Sequence, residues 1–574
     1  MNKTIITFLI VFTSVMTEAQ QLSNPLDFPM QLSGGFCDLR ANHYHAGIDF
    51  RTRSSEGHAI HAVQRGYISR ISISPWGYGL GIYVTHPDDS LITVYGHLQR
   101  YTHRIAEFIK KNQYEKESYD INLNFEPGVL PVKQGDLIGY SGNSGGSGGP
   151  HLHFEVRDMR TNELIDPLEF YKSYIPDKRK PLVRGLKIYP IEGKGIVNGS
   201  NKKQSIDFRL DKNDNPVISG KLEAWGEIGL SIRAIDRMDG TGFSYGIKDI
   251  LQTVDDVETF RSYTDRFALS ESKYINSYTD YEEWSYNRAF YIRTFVDPGN
   301  RTQFIASRNS GKIIIDEERI YNIVITLADI YGNACEVPIK IKGKKQEITP
   351  PDTIGTKLLR WYDYNSFSAK GIQLSVPRNS LYNNVYMHYN SSATNESSVI
   401  KQPSSIKKIY SSVHVLHKSP VPLHTPARLS IHLDNAPASV STEQLGIVRL
   451  SGSNNRISWV GGTYRDEWID ADINELGTYA IACDTTPPVI RPVDISKWRE
   501  QKKISILITD NLSGVLSYRG EINGKYALFE FDGKRALITY DFDGEKLNPG
   551  YHRLKLTVTD GCGNKSYYEH AFSW

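Results

Sequence analysis

The reactive side chains of this 574-residue chain gather near its start: nine of its 16 histidines lie between His43 and His153. Three segments concentrate them, His45-Ala46-Gly47-Ile48-Asp49, the single His97 in Tyr95-Gly96-His97-Leu98, and His151-Leu152-His153-Phe154-Glu155. In a strand, positions i and i+2 face the same way, roughly 6.6–6.8 Å apart. His151 and His153 therefore share one face, with Leu152 and Phe154 on the other. One imidazole can bind a metal at about 2.0–2.1 Å while its neighbour reaches the reacting group beside it. An amphipathic strand with two polar surface histidines carries the same pattern. His45 and Asp49 offer a further nitrogen and oxygen. Gly47 and the Ile48–Phe50 flank argue against a helix, so this is not the helical H-E-x-x-H arrangement. Alone, that pair also reads as a turn with a solvated ion pair. With His153 the set is His, Asp, His: three protein ligands and an open position for water, as catalytic zinc requires. A closed structural site favours cysteine, and no paired Cys spacing is present.

These residues need strands to position them. From about 24 to 175 the chain alternates apolar and polar residues in short runs, as in Gly66–Ile73 and Gly81–Thr85. Period-two alternation between Gly and Pro punctuation predicts antiparallel strands and turns. Ile105, Phe108 and Ile109, inside the charged stretch from Arg104 to Lys116, recur at helical spacing and predict one short helix between strands. Gly145-Gly146-Ser147-Gly148-Gly149-Pro150 predicts an open loop ahead of His151.

Together these segments resemble the lysostaphin/LytM-type peptidoglycan endopeptidases. The resemblance rests on His45-x-Gly47-x-Asp49, Gly57–Val63, Gly77-Tyr78-Gly79-Leu80-Gly81, Tyr95-Gly96-His97-Leu98, Gly135-Asp136-Leu137-Ile138-Gly139, and Gly142–Gly145 running into Gly149–Glu155. It covers about a quarter of the chain. It implies a small antiparallel β-sheet groove, one Zn2+ ion held by His45, Asp49 and His153, and catalytic histidines at His97 and His151. The implied activity is metalloendopeptidase cleavage of peptidoglycan stem or cross-bridge peptides; the competing reading is a non-catalytic wall-binding or scaffold protein. His151 is expected to act as general base on a zinc-activated water, with His97 stabilising the oxyanion or protonating the leaving amine. Two features depart from the compact family core, the longer stretch from Leu98 to Val132 and Cys37 where Gly is commoner. Glu155 shares a face with His153 and reads either as a group orienting a neighbour or as an ordinary surface carboxylate. His58, His61 and His86 are assigned to surface or core packing.

Composition bounds the rest. Hydrophobic residues at 39% and charged residues at 23% fit globular domains, and this length predicts three to four of them. Lys+Arg 67 against Asp+Glu 65 gives no basic excess to neutralise phosphates, which excludes nucleic acid as an expected partner. Lys3, the apolar run Ile5–Met16 and Ala19 predict a signal peptide over 1–19, and hence export to the periplasm, cell envelope or exterior. No other stretch is apolar and long enough to span a bilayer. Cys37, Cys335, Cys483 and Cys562 lie far apart and read as isolated thiols.

Beyond a linker at Pro176–Pro181 the chain is predicted to be mainly β, with two to three Ig-like β-sandwich domains: Ig-like sandwiches at 180–345 and 486–574 and a β-rich domain at 352–483. Thr349-Pro350-Pro351 and Thr486-Pro487-Pro488 mark the boundaries between them. An internal repeat runs through the first and last of these. Leu230–Asp236 with Gly240 resembles Ile504–Asp510 with Gly514; Ile323–Asp329 with Gly332-Asn333 resembles Leu554–Asp560 with Gly563-Asn564. Each copy has a strand ending in Asp before a Gly turn, then a strand ending in Asp-x-x-Gly-Asn. A Tyr-rich insertion from about 255 to 300 enlarges the first copy. A protein or glycan partner is expected for these C-terminal domains.

Overall fold

The computed structural model describes residues 21–392, 409–434, 439–451, 456–542 and 547–574. The expected signal peptide at 1–19 lies outside the described residues. The protein is mainly β. Among the described residues, no helix is long and apolar enough to cross a membrane. All four cysteines are free thiols, and Cys37, Cys335 and Cys562 are buried.

The N-terminal region is built on an antiparallel sheet whose strands run in the order Leu32–Gly34, Ile48–Arg51, His151–Asp158, Leu91–Leu98, Leu80–His86, Gly66–Ile73 and Ile121–Asn124. The His151 strand lies at its centre. On one face Leu152, Phe154 and Val156 are fully buried, packed with Phe50, Tyr95 and Tyr171. Burying each such side chain contributes about 1.5–3 kcal/mol, so the central strand has one available register, and that register directs His151, His153 and Glu155 to the opposite face. The helical spacing is realised as a helix over His103–Lys116, with Ile105 and Ile109 buried and Glu117 left-handed at its end. Phe108 stays partly exposed and packs edge-on against Phe125.

The next region is a long, mostly antiparallel sheet in which Leu182–Val197, Leu222–Ile235, Ala334–Gly343, Ile320–Ala328 and Asp249–Val254 are neighbours. Its hydrophobic core is continuous with that of the first sheet, from Leu22 to Ile341. The reason is the Tyr-rich insertion. Its Arg266–Phe267 pairs as a strand with Leu164–Ile165, and Phe267 and Phe304 pack on Tyr44. Lys248 reaches back to Asp166 at 2.7 Å in a buried ion pair. The segment read as a linker is correspondingly anchored: Ile175 and Asp177 are buried, and the Tyr331 hydroxyl donates to the Ile175 carbonyl.

Among the described residues between Asn365 and Cys483, strands form two five-stranded sheets around a common core that includes Leu374, Leu429, Ile447, Ile473 and Ile481. The last region pairs two four-stranded sheets, with Ile504, Ile506 and Ile538 facing Leu554, Leu556 and Phe572. This last sandwich folds back onto the first region. The Trp76 and Phe531 rings meet edge-on at 6.4 Å. The Lys534 ammonium donates to Asn143 Oδ1 and to the Ser147 carbonyl, each at 3.0 Å, and Arg519 pairs with Glu117 at 2.7 Å.

Candidate metal centre

Antiparallel pairing sets Asp49 opposite His153 across neighbouring strands. His45 enters from the turn before the Asp49 strand. Its side chain completes a compact set: His45 Nε2 lies 3.1 Å from Asp49 Oδ1 and 3.1 Å from His153 Nδ1, and His153 Nδ1 lies 3.0 Å from Asp49 Oδ1. All three residues are buried. Two glycines permit this approach. A Cβ on Gly47 would come within 2.1 Å of the Phe154 carbonyl, and one on Gly34 within 2.4 Å of Asp49 Oδ2.

The outer hydrogen bonds decide which nitrogens face inward. His45 Nδ1 donates to the Gly35 carbonyl at 2.6 Å. His153 Nε2 donates to Glu155 Oε1 at 3.0 Å. With those hydrogens committed outward, His45 Nε2 and His153 Nδ1 turn lone pairs towards each other and towards the Asp49 carboxylate. Three acceptors so close repel unless a proton or a cation lies among them. The set fits one divalent ion bound through two imidazole nitrogens and a carboxylate oxygen.

The charges tell the same story. Burial raises the Asp49 carboxyl, but the adjoining His45, His151 and His153 rings outweigh it and hold the group well below the usual range. Burial lowers His153, yet its bonds to Asp49 and Glu155 prevail and push it up to about 9. Glu155 is fully buried. Burial alone would raise it, but His153, Arg157 and Tyr78 bring it down to about 2. Arg157 Nε donates to Glu155 at 2.8 Å and the Tyr78 hydroxyl donates to it at 2.5 Å. The carboxylate is therefore an orienting group rather than a surface one.

His97 and His151 line the same concavity, with ring centroids 4.8 Å apart. His97 lies in a bulge where its strand carries one extra residue against Leu80–Ile82. Its φ of 59 is left-handed, a conformation that costs a non-glycine residue about 1–3 kcal/mol and turns the side chain towards the site. His97 Nδ1 donates to the Ser144 carbonyl at 2.8 Å, and His151 Nδ1 to the Gly149 carbonyl at 2.8 Å. In both rings Nε2 faces the site; that of His151 is 3.3 Å from Asp49 Oδ1. Burial, then the charges of His153 and His151, bring His97 down to about 3, so it is neutral.

Residues 129–167, which include His151 and His153, match Peptidase family M23. The lysostaphin of Staphylococcus simulans is 27% identical over 148 residues, covering 25% of this chain and 23% of that protein. The N-terminal domain is of the lysostaphin/M23 type. Glycyl-glycine endopeptidase ALE-1 of Staphylococcus capitis is likewise 27% identical over 148 residues, 32% of its length. The chain thus spans about a quarter to a third of the length of these curated relatives. Among solved structures, the catalytic domain of lysostaphin from S. simulans aligns with 24% identity over 25% of this chain and 92% of that domain, at a TM-score of 0.19. A zinc containing peptidase from Vibrio cholerae aligns with 24% identity over 26% of this chain and 40% of that one, at 0.20. Residues 356–484 match a Zu5-like domain.

All five histidine and aspartate candidates are brought together in the M23-type domain. Of the histidines set aside, His86 is fully buried and bonded to the Arg65 carbonyl and Thr93, while His61 pairs with Asp27 at 2.9 Å. Sequence reasoning missed Tyr78, Arg157 and Ser144. Arg157 had a signal, since it follows Glu155 by two positions on the same strand face. Tyr78 stood inside a quoted motif without a role, and Ser144 acts through its carbonyl, which no side-chain pattern announces.

Proposed function

We propose that residues 24–175 are a zinc-dependent endopeptidase that hydrolyses peptide bonds in bacterial cell-wall peptidoglycan, in its stem or cross-bridge peptides. The observation that carries this reading is the convergence of His45 Nε2, Asp49 Oδ1 and His153 Nδ1 within 3.0–3.1 Å of one another, beside two histidines whose Nε2 atoms face the site. When bound, zinc supplies a Lewis acid that brings a water's pKa to around 7 and polarises a carbonyl. His151 Nε2 would take the proton of an attacking water; its Nδ1 hydrogen is held by the Gly149 carbonyl, which leaves Nε2 as the nitrogen facing the site. His97, fixed in the same way by Ser144, offers a second Nε2 that passes a proton towards the leaving amine. Glu155 and the Gly35 carbonyl keep the ligand imidazoles in the tautomers that present lone pairs inward. The names lysostaphin and glycyl-glycine endopeptidase support a peptide-bond substrate. The charged and apolar start of the chain, Lys3 then Ile5–Met16, supports export to the compartment where that polymer lies.

Metal analysis together with mass spectrometry of muropeptide digests tests this. His45→Ala and Asp49→Ala are expected to lose both metal and hydrolysis. His151→Ala is expected to keep the metal while turnover falls by about 10²–10⁴-fold. Undiminished hydrolysis by His151→Ala removes the base assignment. Intact muropeptides after incubation with metal-loaded wild type leave the wall-binding reading in its place.

A further inference from the structure

The internal repeat has a geometry that the metallopeptidase reading does not use. In its first copy Asp177, Asp236 and Asp329 bring carboxylate oxygens within 4.8 Å of one another, and in the second Asp484, Asp510 and Asp560 do the same. The parts correspond one for one. Asp177 and Asp484 come from the segment leading into each copy. Asp236 and Asp510 directly follow the strands Leu222–Ile235 and Lys503–Thr509. Asp329 follows the strand Ile320–Ala328, and Asp560 closes the strand Tyr551–Asp560. The asparagine of each Asp-x-x-Gly-Asn turn clamps the set in the same way. Asn333 Nδ2 donates to Asp329 Oδ2 at 2.7 Å and to the Asp177 carbonyl at 3.3 Å. Asn564 Nδ2 donates to Asp560 Oδ2 at 2.8 Å and to the Asp484 carbonyl at 3.0 Å.

Local turns and the two asparagines account for most of these oxygens. They leave three without a partner. Asp177 and Asp236 are only 6% and 4% exposed, yet Asp177 Oδ2 and Asp236 Oδ1 have no hydrogen-bond partner; in the second copy the half-buried Asp510 likewise has an unpartnered Oδ1. Buried carboxylate oxygens without partners, facing two more carboxylates, are costly unless a cation balances them. Burial, with the Asp329 and Asp177 charges adding to it, pushes the Asp236 carboxyl up to about 8 against partial offsets from the Arg237 backbone amide and then the Arg179 charge. A cavity of about 40 Å³ borders Asp236 and Asp329, enough for a water to complete a coordination shell. The donors are oxygens throughout, which selects a hard cation over zinc.

We propose that Asp177, Asp236 and Asp329 hold one calcium ion, and Asp484, Asp510 and Asp560 a second, each where a copy of the repeat joins the region before it. Each ion ties the incoming segment to two strand ends of its copy.

Calorimetric titration of the zinc-loaded, full-length protein with calcium chloride to about 10 mM tests this, above the about 10⁻⁴–10⁻³ M dissociation constants of extracellular calcium modules. Two equivalents are expected. Asp236→Asn and Asp510→Asn should each lose one, and the double variant both. Neutralising an unpartnered carboxylate should leave the calcium-free melting temperature unchanged or raised, whereas calcium should raise the wild type's and not the double variant's. That pattern separates ligand loss from misfolding. Absence of calcium binding, or two equivalents retained by the double variant, overturns the proposal. His45→Ala, which empties the zinc centre, should still bind both calcium ions, so the two assignments stand or fall separately.

Discussion

At the scale of single residues, the centre depends on groups that never meet a substrate. Glu155 is fully buried and receives hydrogen bonds from His153, Arg157 and Tyr78 at once. Its charge keeps the His153 hydrogen outward and the Nδ1 lone pair inward. Glu155→Gln preserves the shape but removes the charge that balances Arg157. Zinc affinity is expected to fall by about 10–100-fold, as for other groups that orient metal-bound histidines. A competitive chelator titration reads this directly, and equal zinc affinity in variant and wild type counts against the orienting role. Partnering a buried charge poorly costs about 3–5 kcal/mol when one member is deleted, so Glu155→Ala is expected to lower the melting temperature as well.

At the scale of elements, strand pairing does most of the positioning. The alternation of Leu152, Phe154 and Val156 against His151, His153 and Glu155 works only because a strand has period two. The same logic buries a histidine in the Zu5-like region. His414, in the strand Val413–Val415, is fully buried with its Nε2 unpartnered, and burial brings it down to about 4. A depressed folded value means that the unfolded chain binds the proton more readily. Its contribution to stability is present above the ordinary value of about 6.5 and is lost as pH falls towards 4, an effect of roughly 3 kcal/mol. Urea midpoints at pH 7.5 and 4.5 should therefore differ more for wild type than for His414→Gln. Identical pH dependence in the two proteins removes the histidine as the cause.

At the scale of the whole molecule, the last sandwich rests on the rim of the centre. Lys534 donates to the Ser147 carbonyl, and the Ser147 hydroxyl lies 3.2 Å from His151 Nδ1. The contact comprises two edge-on aromatic pairs, Trp76 with Phe531 and Tyr114 with Tyr526, the Arg519–Glu117 ion pair and the Lys534 hydrogen bonds. The double variant Trp76→Ala/Lys534→Ala is expected to loosen the sandwich at this rim without disturbing metal content. Faster amide exchange in segments 143–147 and 531–534, with unchanged zinc, is the expected signature; exchange equal to wild type shows that other contacts hold the two together.

The His, Asp and His segments, the β class, the helix near Ile105 and the repeated Asp turns were legible in the chain because each is written in local order: residue type, spacing and periodicity. What three-dimensional packing alone decided was everything that joins distant segments. The shared core between the first two regions arises when Phe267 and Phe304 meet Tyr44. The role of Glu155 arises when Tyr78, 77 residues away, and Arg157 close over it. The rim contact joins Lys534 to a loop 391 residues earlier. Such contacts depend on which surfaces are buried together, and burial is a property of the folded chain that no stretch of neighbouring residues encodes.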